Sequence, residues 1–306
     1  MAFPESGKVW MNGRLVAWND ATIPAASHVV HYSSGVFEGA RCYDTPNGPV
    51  CFRLDAHVQR LQRSGRMYGL NYPLDLAGWV EAVLETIRAN SLRACYIRPL
   101  VYRGYGSLGV APGDSPVDAA ILVWAWGTYG GQEALETGVD MQFSSWTRMA
   151  PNTLPAMAKS TANYANSALA RMEAAGAGCA EAIVLDEAGH VSEGAAQNIF
   201  VVKDGALCTP PLGASILGGI TRDTVITLAR DRGLAVTEAV LPREALYIAD
   251  EVFGVGTAAE IAPVRSIDRM PVGNGRRGPI TATLQQAFFD VINGIVPDTR
   301  GWLTRV

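Results

Sequence analysis

Apolar residues in this chain alternate at strand spacing in some stretches and at helical spacing in others, yet no βαβ unit repeats and no GxGxxG follows a strand. The pattern argues against a doubly wound dinucleotide-binding sheet and predicts an α+β protein. At 306 residues the chain also approaches the upper limit for one hydrophobic core, so two domains are expected.

The opening "KVWMNGRLVAW" reads as two strands around an Asn-Gly turn. In "HVVHYSSGVFEGARCYDTPNGPVCFRL" the apolar runs predict neighbouring strands with a second turn at Asn47 and Gly48. Residues 55–69 switch to helical spacing, with Asp55 as N-cap and Val58, Leu61, Met67 and Leu70 buried; residues 74–90 form a second amphipathic helix. Strands are expected at 94–102 and 118–126, closing an N-terminal α/β domain over 1–126. The Gly-rich stretch 127–138 reads as a connector, and 139–306 as a larger C-terminal domain. That domain should hold a strand at 139–146, a helix over 160–175, a meander from "AEAIVLD" through "VSEGAAQNIFVV" to "ALCTP", a helix over 220–232, a shorter helix in "LPREALYIAD", a strand in "EVFGVGT" and a last helix over 280–293.

Charge narrows the partners. A net charge of −4 gives no long-range pull on nucleic acid or an anionic membrane, so an anionic ligand must be held locally. The longest uncharged stretches, 119–132 and 206–221, are broken by Gly or Pro and fall short of the roughly 18 apolar residues of a membrane span. The start "MAFPESGKVW" lacks the basic, then apolar, order of a signal peptide, and cytoplasmic residence is the expectation. Cys42, Cys51, Cys95, Cys179 and Cys208 make no CxxC pair and read as reduced, mostly buried residues. His28, His31, His57 and His190 show no metal-ligand spacing, so no metal is expected.

Lysine is scarce: Lys8, Lys159 and Lys203 stand among 25 basic residues. Arginine can supply permanent charge, but only lysine has an amine that can lose its proton and attack a carbonyl. Lys159 sits in "PNTLPAMAKSTANYANSALARM", between a proline-containing loop and a helix start. Taken alone, a surface lysine at a helix entrance explains those letters as well. Glu193, in "HVSEGAAQNIFVV", is a poor strand residue that needs a cationic partner if buried, and a pyridinium N–H would serve. It could equally face solvent at a hairpin base.

Two Gly-containing turns could take an anion. "LGGITRD" sets Gly219, Ile220 and Thr221 at a helix N-terminus, where first-turn amides lack acceptors. "GVGTAAE" leaves the amides around Gly256 and Thr257 open after a strand. Arg60 and Arg98 are further candidates, and Arg98 lies on an apolar strand where a charge needs a partner. An aldehyde, a ring nitrogen and a phosphate would together use Lys159, Glu193 and the turns. Pyridoxal 5′-phosphate has all three, although other phosphorylated ligands stay open on this ground alone.

The chain resembles the class IV aminotransferases, the fold type IV group of pyridoxal-phosphate enzymes, and within them the branched-chain amino acid aminotransferases. The resemblance rests on "HYSSGVFEGARCY", "YIRPL", "SSWTRMAPNTLPAMAKSTANY", "SEGAAQNIF", "LGGITRD" and "YIADEVFGVGTAAEIAPVRSID", in order along nearly the whole chain. It implies a D-amino acid aminotransferase-like fold, with a small N-terminal α/β domain and a larger C-terminal pseudo-barrel that binds the cofactor.

By this resemblance Lys159 is similar to the Schiff-base lysine, Glu193 to the partner of the ring nitrogen, and Tyr164 to the tyrosine on the ring hydroxyl. Arg60, Leu217, Gly219, Ile220, Thr221, Gly256 and Thr257 match cofactor- and phosphate-holding positions. Tyr96 with the amides of Thr257 and Ala258 resembles the receiver of the substrate α-carboxylate. Arg98 and Tyr32 resemble the groups that admit the distal carboxylate of glutamate. Phe37, Gly39, Arg41, Trp126, Tyr129 and Ala259 match the remaining substrate pocket. The implied reaction moves the amino group of L-leucine, L-isoleucine or L-valine to 2-oxoglutarate, giving L-glutamate. The implied assembly is a homo-oligomer, a dimer or a hexamer built of dimers.

The sequence departs from the family's pattern in "HYSSG" for "HYGTS", at Ser160, Thr161 and Ala162, and at Gln197 where glutamate is common. None of these removes a group with a direct chemical role. A D-amino acid or R-selective amine transaminase, an aminodeoxychorismate lyase and a non-catalytic phosphate-ligand binding protein remain the alternatives.

Overall fold

The structure, a computed structural model, describes residues 7–127 and 133–306. It divides into two compact units. The first takes in Met1–Trp126 together with Ala158–Ala162 and Ile292–Val306, and the second takes in Gly127–Met157 and Asn163–Val291. The short segment around Lys159 and the C-terminal tail, which the sequence reading groups with the C-terminal domain, thus cluster with the first unit.

In the first unit, β1 (Lys8–Met11) and β2 (Arg14–Ala17) form a hairpin whose turn residues, Asn12 and Gly13, both have positive φ. That is the twist-matched two-residue turn that Asn-Gly favours. The Asn12 side chain then bonds the backbone amide of Ala119 and the Asp118 carboxylate, tying the hairpin to its neighbour. After α1 (His28–Tyr32) come β3 (Gly35–Phe37), β4 (Ala40–Thr45), β5 (Gly48–Phe52), α2 (Leu54–Met67), α3 (Leu76–Ala89), β6 (Cys95–Arg103) and β7 (Val117–Trp124). The apolar run at α1 is therefore a short helix, not a strand.

These strands and the last one of the chain, β17 (Leu303–Arg305), make an antiparallel sheet in the order β17-β5-β4-β6-β7-β1-β2, with β3 also on β6. One face is apolar. Ala40, Cys42, Cys51, Cys95, Ile97, Val101, Ala119, Ile121 and Val123 pack there with Leu54, Val58 and Leu61 of α2 and Trp79, Val83 and Ile87 of α3. Two boundaries differ from expectation. The cap of α2 is Arg53, in the left-handed conformation with no side-chain cap bond, so Asp55 sits in the first turn, where its charge suits the helix dipole. Met67, at the last turn of that helix, is exposed.

In the second unit, α4 (Ala134–Thr137), β8 (Val139–Thr147), α5 (Asn163–Gly176), β9 (Glu181–Leu185), β10 (Val191–Gly194), β11 (Asn198–Lys203), β12 (Ala206–Thr209), α6 (Ile220–Asp231), β13 (Val236–Glu238), β14 (Glu251–Gly256), β15 (Glu260–Ile267), β16 (Met270–Pro271) and α7 (Pro279–Ile292) follow in order. Its sheet runs β10-β9-β8-β15-β14-β11-β12-β13, with β16 on β15. β8 pairs in parallel with both β9 and β15. The parallel β8–β9 pair is crossed by α5, whose Ala170 and Ala174 pack closely on Ala182 and Val184. The helix expected from residue 160 begins at Asn163, because Ser160 forms a β-bridge with Val36. The stretch "VSEGAAQNIFVV" is two strands, β10 and β11, with an Ala-Ala-Gln turn between them.

No helix among the described residues is long and apolar enough to cross a membrane, and no cluster of His, Cys, Asp or Glu there could hold a metal ion. All five cysteines are free thiols. Asp75 caps α3, accepting a 2.8 Å bond from the Gly78 amide. Asp75→Ala is expected to cost about 1 kcal/mol in chemical denaturation, with Asp75→Asn keeping most of the cap; equal stability of the Ala variant and the wild type would refute the cap's contribution.

Candidate active site

The face of the first sheet opposite its helices carries a different set of side chains. Along β6, Cys95, Ile97 and Val101 point into the core, so Tyr96 and Arg98 point the other way. Register brings Tyr96 opposite Arg41 on β4 and Trp124 on β7. Its ring centroid lies 5.2 Å from that of Trp124 and 4.9 Å from that of Trp126. Gly39 is needed for this arrangement, since a Cβ there would collide with the Tyr96 hydroxyl. Arg41, buried, reaches the Trp126 carbonyl and lies over the ring of Tyr43.

Arg98 finds its partners in aromatic faces. Its guanidinium carbon is 4.7 Å from the Phe37 ring, 5.3 Å from Tyr96 and 5.8 Å from Trp124. Its buried Nε has no hydrogen-bond partner among the described residues. This is a cation held on a wall of rings, with donor capacity toward an anion. Tyr32 is exposed on α1, and its hydroxyl donates to the carbonyl of Leu108. Tyr129 lies outside the described residues.

Lys159 is half-buried, with its Nζ 5.0 Å from the Phe37 ring centroid. Its backbone is tied down on both sides: the carbonyl accepts from the Phe37 amide at 2.9 Å, and the amide donates to the Ser64 hydroxyl at 3.0 Å. Ser160 and Thr161 are held too, through Tyr68 and the carbonyls of Ser33 and Gly35. Arg60, on α2, is bonded by Nε and Nη2 to both oxygens of Glu38, at 2.6 and 2.9 Å.

Glu193 is buried in the second unit. Regular alternation would set it on the same side as Val191, in the apolar core, but the pairing of β10 with β9 slips between those two residues. The bulge re-aims the side chain. One carboxylate oxygen pairs with Arg148 at 2.7 Å; the other accepts from Asn198 Nδ2 and the Leu217 amide, each at 3.0 Å. Asn198 also donates to the Leu217 carbonyl, fixing the approach to α6. Gly219, the cap of α6, lies so close to Asn198 that any side chain would clash with its amide, so the first-turn amides of Ile220 and Thr221 stay uncovered by a cap side chain. Thr257, Ala258 and Ala259 form the three-residue turn between Gly256 and Glu260, with Thr257 and Ala258 half-buried and Ala259 buried. Tyr164 is half-buried in the first turn of α5.

Sequence reasoning did not single out Arg148, Asn198, Glu38 or His57. Their partners lie from 5 to 45 residues away in the chain, and no local spacing reveals them.

The pattern of the amino-transferase class IV family matches residues 35–267, and the chain belongs to that family, whose members are pyridoxal-phosphate-dependent transaminases with this α+β fold and its curled half-barrel sheet. More particularly, it is 48% identical to the branched-chain-amino-acid aminotransferase of Escherichia coli (strain K12), over 100% of this chain and 99% of that one. The crystal structure of the Escherichia coli branched-chain amino acid aminotransferase matches with a TM-score of 0.96 at 48% identity, covering 98% of this chain and 99% of that chain. The branched-chain amino acid aminotransferase of Thermobaculum terrenum, in its pyridoxal-phosphate holo form, matches with a TM-score of 0.91 at 36% identity, covering 98% of each chain.

Each unit carries groups that suit part of pyridoxal phosphate: the first an amine on a fixed backbone, the second a carboxylate paired with a buried arginine and a helix N-terminus that glycine leaves bare. Breaking the buried ion pair should be costly. Arg148→Ala is expected to destabilise the protein by about 3–5 kcal/mol, with Glu193→Gln in that background recovering much of the loss. Chemical denaturation checks this, and a single variant as stable as wild type would contradict the pairing.

Proposed function

We propose that this enzyme transfers the amino group of L-leucine, L-isoleucine or L-valine to 2-oxoglutarate, releasing the branched 2-oxo acid and L-glutamate. The observation that carries this reading is Arg98 on its aromatic wall. The enzyme must accept an aliphatic side chain in one half-reaction and a carboxylate in the next. Ring faces of Phe37, Tyr96 and Trp126 suit the first, and the guanidinium suits the second. Each extra methylene in an apolar pocket changes binding by only about 1–3 kcal/mol, so discrimination among the three substrates should be loose.

Pyridoxal phosphate supplies an aldehyde for amine exchange and a protonated ring that takes up the electrons left when a Cα proton departs. Lys159 would carry that aldehyde through its amine, and the same amine, when free, would serve as the base that takes and returns the substrate Cα proton. Glu193, paired with Arg148, would receive the ring nitrogen and its proton. Tyr164 donates to the ring hydroxyl. The amides of Ile220 and Thr221, with the Thr221 hydroxyl, the Thr257 turn and Arg60, would hold the phosphate, and Leu217, Gly219 and Gly256 would contribute backbone beside it. The Tyr96 hydroxyl and the Thr257 and Ala258 amides would receive the α-carboxylate, while Gly39, Arg41 and Ala259 would line the pocket and Tyr32 would join Arg98 at the distal carboxylate.

The enzyme works as a cytoplasmic homo-oligomer, a dimer or a hexamer of dimers. Exposed Val30, Tyr32, Tyr105, Leu108 and Val110 in the first unit support self-association.

Borohydride reduction followed by peptide mapping is expected to find the cofactor attached at Lys159, and Lys159→Ala should have no transaminase activity. A substrate panel of L-leucine, D-alanine and a chiral aryl amine is expected to give turnover with L-leucine. Label at another residue, or turnover confined to D-alanine or the amine, would overturn the assignment.

A further inference from the structure

Glu38 has no solvent exposure and follows directly on β3, where its own amide donates to the Pro99 carbonyl at 2.9 Å. Its carboxylate accepts from Arg60 Nε and Nη2, from His57 Nδ1 at 2.7 Å, and from the Gly39 amide at 3.1 Å. Burial alone would raise the carboxyl's pKa, but Arg60 and then His57 overcome that and hold it well below the usual carboxylate range. Burial pushes the His57 imidazole below its ordinary value against the opposing pull of Glu38, with the charges of Arg60 and Lys159 adding to the fall. The imidazole therefore serves as a neutral Nδ1–H donor.

Such a cluster is not what packing alone would select. A buried ion pair replaced by well-packed apolar residues is often as stable or more so, so its merit lies in geometry. The fork between Arg60 and Glu38 uses two parallel bonds and locks the guanidinium plane, which sets the direction of the remaining donors.

Helical spacing widens the effect. His57, Arg60 and Ser64 stand on one face of α2, three and then four residues apart. The first two bind Glu38, and the third accepts from the backbone amide of Lys159. On the strand side, Phe37, the residue before Glu38, donates to the Lys159 carbonyl.

We propose that Glu38 is the positioning residue that aims the Arg60 guanidinium at the cofactor phosphate and, through α2 and β3, joins that aim to the placement of Lys159. This rests on the reading of Arg60 as a phosphate ligand.

The test compares two ligands that differ only in the phosphate. Purified holoenzyme is resolved and reloaded with pyridoxal phosphate or with pyridoxal, and the dissociation constants are measured for wild type, Glu38→Gln, Glu38→Asp, Arg60→Ala and the Glu38→Gln/Arg60→Ala double variant. Glu38→Gln is expected to weaken pyridoxal phosphate by roughly tenfold to a hundredfold while leaving pyridoxal nearly unchanged, the scale of a charge-assisted bond pair. Arg60→Ala should give the same phosphate-specific loss, and the double variant should add little to it. Glu38→Asp, which keeps the charge but withdraws the fork, should lose phosphate preference in a protein less prone to misfold. Equal losses for both ligands in the Glu38 variants, or a phosphate-specific loss in Arg60→Ala with none in either Glu38 variant, would overturn the proposal. An Arg60→Ala variant that weakens both ligands alike would instead overturn the phosphate reading of Arg60, and the proposal with it.

Discussion

The carbonyl of Lys159 accepts from the Phe37 amide while its own amide donates to Ser64. These two bonds, with the Val36–Ser160 bridge beside them, lay a five-residue segment against the first sheet although most of its sequence neighbours pack elsewhere. The main chain of Lys159 is thereby fixed independently of its amine. A lysine placed by its own ammonium contacts would have to surrender them each time it lost its proton. Backbone tethering has no such conflict, and it goes with a segment that bridges at Ser160, turns at Thr161 and Ala162, and becomes helical only at Asn163.

Arginine does the opposite job. Two buried carboxylates, Glu38 and Glu193, are each bound by an arginine, and Arg98 is wrapped by rings. All three sites need a charge that stays fixed through the reaction, which a guanidinium provides and an ammonium does not. At these sites permanent charge is given to arginine, and the proton-exchanging role to the Lys159 amine.

The hairpin at Asn12 and Gly13, most helices and the order of the motifs are legible in the sequence because each depends on residues close together in it. Glu193 is legible as a carboxylate in need of a partner, yet the bulge that removes it from the apolar face is not, since alternation by itself would bury it beside Val191. Arg98 shows its need for company but not its nature, because the three rings come from three strands. Asp55 and Met67 depart from expectation for a local reason. Arg53 takes a left-handed backbone that starts the helix earlier, and the end of α2 projects into solvent. Glu38 gives no sign of its role because its partners His57 and Arg60 lie 19 and 22 residues further on.

The alternation along β6 has an evolutionary side. Tyr96 and Arg98 serve one face, and Ile97 and Val101 fill the core on the other, while β4 and β7 pin the register from both edges. Gain or loss of one residue within this strand would exchange the two sets, driving a guanidinium into the core and aliphatic groups onto the polar face. Length variation among descendants of this gene should therefore gather in residues 104–116, the loop that joins β6 to β7, while the strand itself changes only by substitution.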